Sequence, residues 1–257
     1  MRSKHEIRFP SARIIHEQRD FDCSKFDVVI VALPSNAIGE ILRAGGRIAA
    51  PHTAFVSRAR GIDGASGLMP NRIIRNNTGS SYIAVISSAS VPDEMLLGRP
   101  VYVSLACINP YLGQLSIDRL QNPSLRFSFT DDLCGWEIAG VGKSIIALGS
   151  GIADGLDLGE NFRASFIARG IVALRSAIER LGGRPETMLS PGALSDVILT
   201  SSSVKSCNYM HGRAQRRRER EAPLGGVQFL VVIRAFAEGA RHQIAFFRSG
   251  GSCRRGA

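Results

Sequence analysis

No uninterrupted apolar run in this chain approaches the roughly 20 residues that a helix needs to span a bilayer. The first ten residues, M-R-S-K-H-E-I-R-F-P, also lack the apolar core of a secretion signal. Hydrophobic residues make up 44% of the 257 positions and charged residues 21%, a balance typical of globular proteins. The sequence therefore predicts a cytoplasmic protein without a membrane span and with about one or two domains.

Paired cysteines are missing as well. None of the five forms a C-x-x-C motif or lies near a histidine at the spacing of a metal site. An odd number also excludes complete disulfide pairing, so reduced structural thiols in a reducing compartment are favoured, and no metal site is predicted. The five are Cys23, Cys107, Cys134, Cys207 and Cys253.

Negative charge is scarce toward the C-terminus. The formal net charge is +10, and residues 213–257 hold ten arginines, no lysine and three glutamates, so they carry +7 of it. The densest run, R-A-Q-R-R-R-E-R-E at residues 213–221, is of a kind that binds nucleic acid. No aromatic side chains interleave it, however, and glutamates interrupt it. A solvated helix or tail is favoured over a nucleic-acid site.

The first half of the chain contains strand patterns that alternate with helical ones. Residues 26–35, F-D-V-V-I-V-A-L-P-S, form a β-branched apolar run typical of a parallel strand buried on both faces. A helix capped by Ser35 or Asn36 is expected after it. Strands that alternate with helices predict an α/β sheet. Further strands are predicted at residues 54–57, 82–87, 100–108 and 125–129.

The pattern becomes helical near residue 131. Residues 137–152 are rich in glycine, which lowers helix propensity, so a helix there needs close packing. Apolar residues between Phe162 and Leu181 recur every three or four positions and predict an amphipathic helix. A short helix is predicted at 193–200, and residues 201–208, S-S-S-V-K-S-C-N, are predicted to form a polar loop.

Lys143 lies inside the glycine-rich helical segment, with no carboxylate within five residues on either side. A lysine in that setting either extends outward to solvent or is held in a site. The pattern alone leaves both interpretations open.

Six motifs occur in order: V-V-I-V-A-L-P-S, V-S-R-A-R-G-I-D, V-I-S-S-A-S, E-I-A-G-V-G-K-S-I-I-A, G-G-R-P-E-T followed by G-A-L-S-D-V-I-L-T, and S-C-N. Together they resemble the NAD(P)-dependent glycerol-3-phosphate dehydrogenase family over roughly residues 8–211. The resemblance implies an incomplete Rossmann-like parallel-sheet domain at residues 1–131. It implies a helical domain like that of 6-phosphogluconate dehydrogenase at residues 132–257, with a basic, poorly matched C-terminal tail.

The reaction that the resemblance implies is hydride transfer between NAD(P)H and dihydroxyacetone phosphate, giving sn-glycerol 3-phosphate for phospholipid synthesis. NAD or NADP would be the cofactor, and a homodimer is compatible with the family. Lys143 matches the general base, a role that suits a lysine whose pKa is lowered by burial. Asp196 matches the aspartate that orients this lysine or binds a substrate hydroxyl.

The resemblance also assigns binding residues. Those for substrate are Arg60, Ser88, Ser90, Lys143, Asp196, Ser206 and Asn208. Those for cofactor are Pro34, Arg60, Pro92, Cys207 and Glu238.

Three departures from the family pattern fall on binding positions. The family's G-x-G-x-x-G turn, which brings backbone amides to a pyrophosphate, has no counterpart in a strand–turn–helix context here. Arg60 stands where the family has lysine, and Cys207 stands where it has arginine. These departures leave a second interpretation open, a degenerate, non-catalytic relative that acts as a metabolite-binding or interaction protein.

Overall fold

Residues 22–44 and 53–219 are described by a computed structural model, in which the chain divides into two units. The described part of the first unit is residues 22–44, 53–65, 69–86 and 90–131. The second consists of Ser66–Leu68, Ser87–Ala89 and residues 132–219. The predicted change of pattern near residue 131 thus falls next to the point where the helical part of the second unit begins.

The first unit is built on a five-stranded sheet in the order β1-β2-β3-β4-β5. Neighbours β1 and β2, β2 and β3, and β4 and β5 are parallel. Its strands are β1 (Val28–Val31), β2 (Ala54–Ser57), β3 (Ile83–Ser88), β4 (Val101–Cys107) and β5 (Leu125–Thr130). Its helices are α1 (Ser35–Ala44), α2 (Pro70–Thr78), α3 (Pro92–Leu96) and α4 (Pro110–Leu120). The predicted α/β sheet is confirmed.

Both faces of the central strands are covered, since all four residues of β2 are buried. On one face, Ala54 and Val56 pack in a cluster with Leu112 and Ile117 of α4. Phe55 points to the other face and is fully buried, as are Ile38 of α1 and Ile74 of α2. This burial on both faces explains why the central strands are nearly continuous apolar runs in the sequence.

The prediction that the first strand is buried on both faces is wrong. Val29 and Val31 are buried, but the side chain of Ile30 between them is 50% exposed. The described neighbour of β1 is β2, so β1 lies at an edge of the described sheet. An edge strand has less cover than a central one, and its outward side chains keep part of their surface.

Helix α5 (Leu133–Gly155) contacts each of the three other α-helices that the structure describes in the second unit. These are α6 (Gly159–Arg180), α7 (Pro191–Ser202) and α8 (Cys207–Glu219), with a short 3-10 helix at Pro185–Leu189. The predicted loop at residues 201–208 is wrong in part, because α7 runs to Ser202 and α8 starts at Cys207. Ser206 accounts for the early start of α8, since its Oγ accepts a hydrogen bond from the Tyr209 amide at 3.3 Å.

The glycines of α5 allow close packing, as the sequence predicts. Gly135, Gly142 and Gly149 are spaced so that each faces α6, and a Cβ at any of them would contact or overlap an α6 side chain. The side chains they meet are Ile178, Leu174 and Phe166, in that order. On another side of α5, a Cβ at Gly151 would overlap the carbonyl oxygen of Tyr209 in α8. The low helix propensity of this segment is therefore offset by tight helix–helix contact.

Charged and polar side chains fix the ends of this bundle. Asp132 caps α5 by accepting from the Gly135 amide at 3.0 Å, and it also accepts from the Arg184 amide at 2.8 Å. At the other end, Asp154 accepts from Arg163 at 3.2 Å and pairs with Arg213 Nε at 2.9 Å. Arg213, the first arginine of the basic run, thus has an intramolecular partner.

The described residues also bear on the predictions about disulfides, membrane-spanning helices and metal-binding clusters. Their four cysteines are free thiols, and burial raises the pKa of Cys23 and of Cys107, which keeps both thiols protonated at neutral pH. Across residues 22–44 and 53–219, no helix is both long and apolar enough to cross a membrane. The same residues contain no cluster of three His, Cys, Asp or Glu side chains that could hold a metal ion.

A pair of glycine substitutions tests the packing of α5. Gly151→Ala should lower the free energy of unfolding by about 1–3 kcal/mol, because the added methyl group meets the backbone of α8. Gly140→Ala is the matched control, since a Cβ there has no atom within 4 Å, and it should stabilise the helix by up to about 1 kcal/mol. Urea unfolding of both variants measures the difference. Equal effects of the two substitutions would contradict the packing.

Candidate active site

Lys143 is held inside the second unit. It lies on α5 with only 3% of its surface exposed, and its Nζ forms an ion pair with Oδ1 of Asp196 on α7. Asp196 is 4% exposed. The interpretation of Lys143 as an outward surface lysine is therefore wrong, and Lys143 and Asp196, predicted from separate motifs, lie in direct contact.

Two hydroxyl groups also contact the Asp196 carboxylate. Thr200 Oγ1 donates to Oδ1 at 3.3 Å, and Ser87 Oγ donates to Oδ2 at 2.8 Å. Thr200 lies one helical turn after Asp196, whereas Ser87 belongs to the segment at the end of β3. Both oxygens of the carboxylate thus have partners. Among these contacts, Lys143 supplies the positive charge.

Ser87 and Thr200 are contacts of Asp196 that were not predicted from the sequence. For Thr200 a signal existed, because side chains at positions i and i+4 of a helix share a face. For Ser87 the signal was weaker. It lies in the V-I-S-S-A-S motif, but no local pattern tells which of its three serines would contact a residue 109 positions away.

The other predicted substrate residues lie in three places. Ser88 is buried at the end of β3, and Ser90 follows the strand with part of its surface exposed. Ser206 caps α8, and Asn208 is exposed in its first turn. Arg60 is half-buried in the loop that follows β2. Within the second unit, the amino end of α8 therefore carries two of the predicted substrate contacts.

The predicted cofactor residues are more scattered. Pro34 and Arg60 follow β1 and β2, whose carboxyl ends are adjacent in the sheet, where Rossmann-like domains bind a dinucleotide. Gly61 beside them has a φ of +99°, a conformation that favours glycine. Pro92 begins α3, Cys207 begins α8, and Glu238 lies outside the described residues. Pro34 and Arg60 therefore lie where one part of a dinucleotide is expected, but the described residues include no glycine-rich turn of the kind that binds its pyrophosphate.

Comparison with known families gives two matches that together cover most of the chain. The family described as NAD-dependent glycerol-3-phosphate dehydrogenase C-terminus matches residues 132–241, and its N-terminus counterpart matches residues 5–112. A glycerol-3-phosphate dehydrogenase [NAD(P)+] of Paramagnetospirillum magneticum is 34% identical over 192 residues, which are 73% of this chain and 68% of the relative.

The chain belongs to the NAD-dependent glycerol-3-phosphate dehydrogenase family.

A second relative is similar to this chain at a comparable identity. The enzyme of Staphylococcus carnosus is 32% identical over 189 residues, which are 72% of this chain and 57% of the relative. The matched region thus spans 68% and 57% of the length of these two relatives, and 50% of the length of the enzyme of Aromatoleum aromaticum.

Solved structures of glycerol-3-phosphate dehydrogenases share the fold. The Coxiella burnetii structure matches with a TM-score of 0.69 at 25% identity, covering 87% of this chain and 72% of that one. The Saccharomyces cerevisiae structure matches with a TM-score of 0.70 at 17% identity, covering 93% of this chain and 75% of that one. The predicted fold, a Rossmann-like sheet followed by a helical region, is confirmed.

Removing one member of the buried pair should lower the free energy of unfolding more than removing both members. Lys143→Met leaves the Asp196 carboxylate buried without its cation, and we expect it to lower the free energy of unfolding by about 3–5 kcal/mol. The double variant Lys143→Met/Asp196→Leu should recover most of that loss, because no buried charge remains. Thermal and urea unfolding report both values.

Lys25→Met is the control for this comparison. Lys25 lies on the surface, 4.0 Å from Asp22 and 73% exposed, so its loss should change stability by less than about 0.5 kcal/mol. A Lys143→Met protein as stable as the wild type would mean that the pair is not buried as described.

Proposed function

We propose that this protein is a glycerol-3-phosphate dehydrogenase that interconverts dihydroxyacetone phosphate and sn-glycerol 3-phosphate with NAD or NADP, supplying phospholipid synthesis. The observation that carries the proposal is the buried Lys143–Asp196 pair. Both residues stand at positions that match the family's acid–base machinery. A degenerate relative would have no need to keep a costly buried charge pair, which argues against the non-catalytic alternative.

The reduction needs a proton at the carbonyl oxygen of C2 while a hydride arrives at the carbon. Lys143, as an ammonium group, donates that proton, and in the reverse direction the neutral amine accepts the proton of the C2 hydroxyl. Asp196 orients the amine and balances its charge in a site from which water is largely excluded. The nicotinamide, when bound, supplies or accepts the hydride.

The substrate phosphate requires donors and positive charge. Ser206 and Asn208 at the amino end of α8 suit this role, because a helix amino terminus presents free backbone N–H groups to an anion. Arg60, Ser88 and Ser90 are the other substrate contacts that we propose. Pro34, Pro92, Cys207 and Glu238 are, with Arg60, the proposed cofactor contacts.

Turnover with the natural substrates tests the proposal. The purified 257-residue chain should oxidise NADH or NADPH in a manner that depends on dihydroxyacetone phosphate. Lys143→Met/Asp196→Leu should be folded but lose activity by at least about 10²–10⁴-fold, since proton transfer is lost. Lys25→Met is the control that should keep wild-type activity. A folded wild-type protein without turnover with either nucleotide would refute the enzyme and leave a metabolite-binding relative.

The cysteine at the family's arginine position offers a second test. Cys207→Arg places a cationic donor at the amino end of α8, and it should lower the KM for dihydroxyacetone phosphate by about tenfold. Ala214→Arg is the matched control, because Ala214 is also exposed on α8 and gains the same charge about two turns away from the amino end of the helix. An equal drop in KM in both variants would indicate a general charge effect, which would argue against a phosphate site at residues 206–208.

A further inference from the structure

Ser87 makes a contact that the acid–base chemistry does not itself require. Its Oγ donates to Asp196 Oδ2 at 2.8 Å, and both side chains are buried. The two residues are 109 positions apart and come from different elements, the end of β3 and helix α7. A hydrogen bond to a buried carboxylate is charge-assisted and stronger than one between neutral groups.

The two oxygens of Asp196 have different partners. Oδ1 faces Lys143 Nζ and accepts from Thr200 Oγ1, whereas Oδ2 accepts from Ser87. The terminal torsion of an aspartate side chain is broad, so a carboxylate held at one oxygen can swing about its Cβ–Cγ bond. Thr200 acts on the same oxygen as Lys143 and cannot prevent that rotation alone. Ser87 donates a hydrogen bond to the other oxygen, so the carboxylate is held at both oxygens.

We propose that Ser87 is a positioning residue for the reaction: it fixes the Asp196 carboxylate so that Oδ1 stays on Lys143 Nζ while the lysine exchanges its proton. The proposal rests on the proposed function. When Lys143 gives up its proton, the ion pair is lost for that moment, and the hydrogen bond from Ser87 keeps the carboxylate in place to receive the ammonium again. The hydroxyl proton of Ser87 is committed to Asp196, which separates this role from the substrate contacts proposed for Ser88 and Ser90.

This role predicts a change in kcat rather than in KM. Ser87→Ala should lower kcat by about tenfold while the KM for dihydroxyacetone phosphate changes by less than about twofold. Ser87→Thr keeps the hydroxyl group and should restore most of kcat.

Ser150→Ala is the matched control. Ser150 is fully buried on α5 and donates to the Ser201 carbonyl at 2.7 Å, away from Lys143 and Asp196, so its loss should leave kcat unchanged. A kcat in Ser87→Ala equal to that of the wild type would overturn the proposal. So would a raised KM at constant kcat, which would mark Ser87 as a substrate contact, and so would a loss of kcat of the same size in Ser150→Ala.

A thermal unfolding cycle tests the same contact without turnover. In the wild-type background, Ser87→Ala should lower Tm by roughly 2–4 °C, because a buried acceptor loses its donor. In the Lys143→Met/Asp196→Leu background the acceptor is already gone, so the same substitution should leave Tm unchanged or raise it, because it removes a buried hydroxyl group that has lost this acceptor.

Equal shifts in both backgrounds would show that Ser87 does not act through Asp196 and would overturn the proposal. Failure of the proposed function looks different. Folded wild-type protein without turnover, together with unequal shifts, would refute the dehydrogenase and with it the role of Ser87 in a reaction, while the contact itself would stand.

Discussion

Burial of the Lys143 ammonium group is the constraint on which the second unit depends. A charged amine inside a protein is tolerated only with a carboxylate and enough hydrogen bonds to compensate for lost hydration. Asp196 supplies the carboxylate, and Ser87 and Thr200 donate hydrogen bonds to it. The pair therefore requires α5, α7 and the end of β3 to be placed accurately, and those placements are what the rest of the packing achieves.

Helix α5 meets that requirement through its glycines. A chain with so many glycines forms a poor helix in isolation, yet Gly142, Gly149 and Gly151 let neighbouring helices approach more closely than a side chain would allow. Contacts with α6 and α8 lock the helix about its axis, which determines where Lys143 points. Asp132 and Asp154 fix its two ends through hydrogen bonds and ion pairs. Stability and function thus share one element, and a change that loosens α5 should affect both.

Much of this arrangement was predictable from local sequence. Four of the five predicted strands lie within one residue of the limits in the structure, whereas the first, predicted from residues 26–35, is confined to Val28–Val31. The glycine-rich segment indicated close packing. Ile30 was misassigned because periodicity cannot tell an edge strand from a central one. Residues 207–208 were misassigned because a cap such as Ser206 resembles a polar loop. Lys143 and Asp196 came from family resemblance, whereas Ser87 depends on a tertiary contact over 109 positions that no local pattern encodes.

A crystal structure of the protein with dihydroxyacetone phosphate would test the central claim most directly, since it locates the reacting oxygen relative to Lys143. The account predicts the carbonyl oxygen of C2 within about 2.6–3.2 Å of Lys143 Nζ, with Asp196 still paired to the lysine and Ser87 still bonded to Asp196. A bound substrate whose carbonyl oxygen faces away from Lys143, or a site that stays empty at saturating substrate concentration, would contradict it.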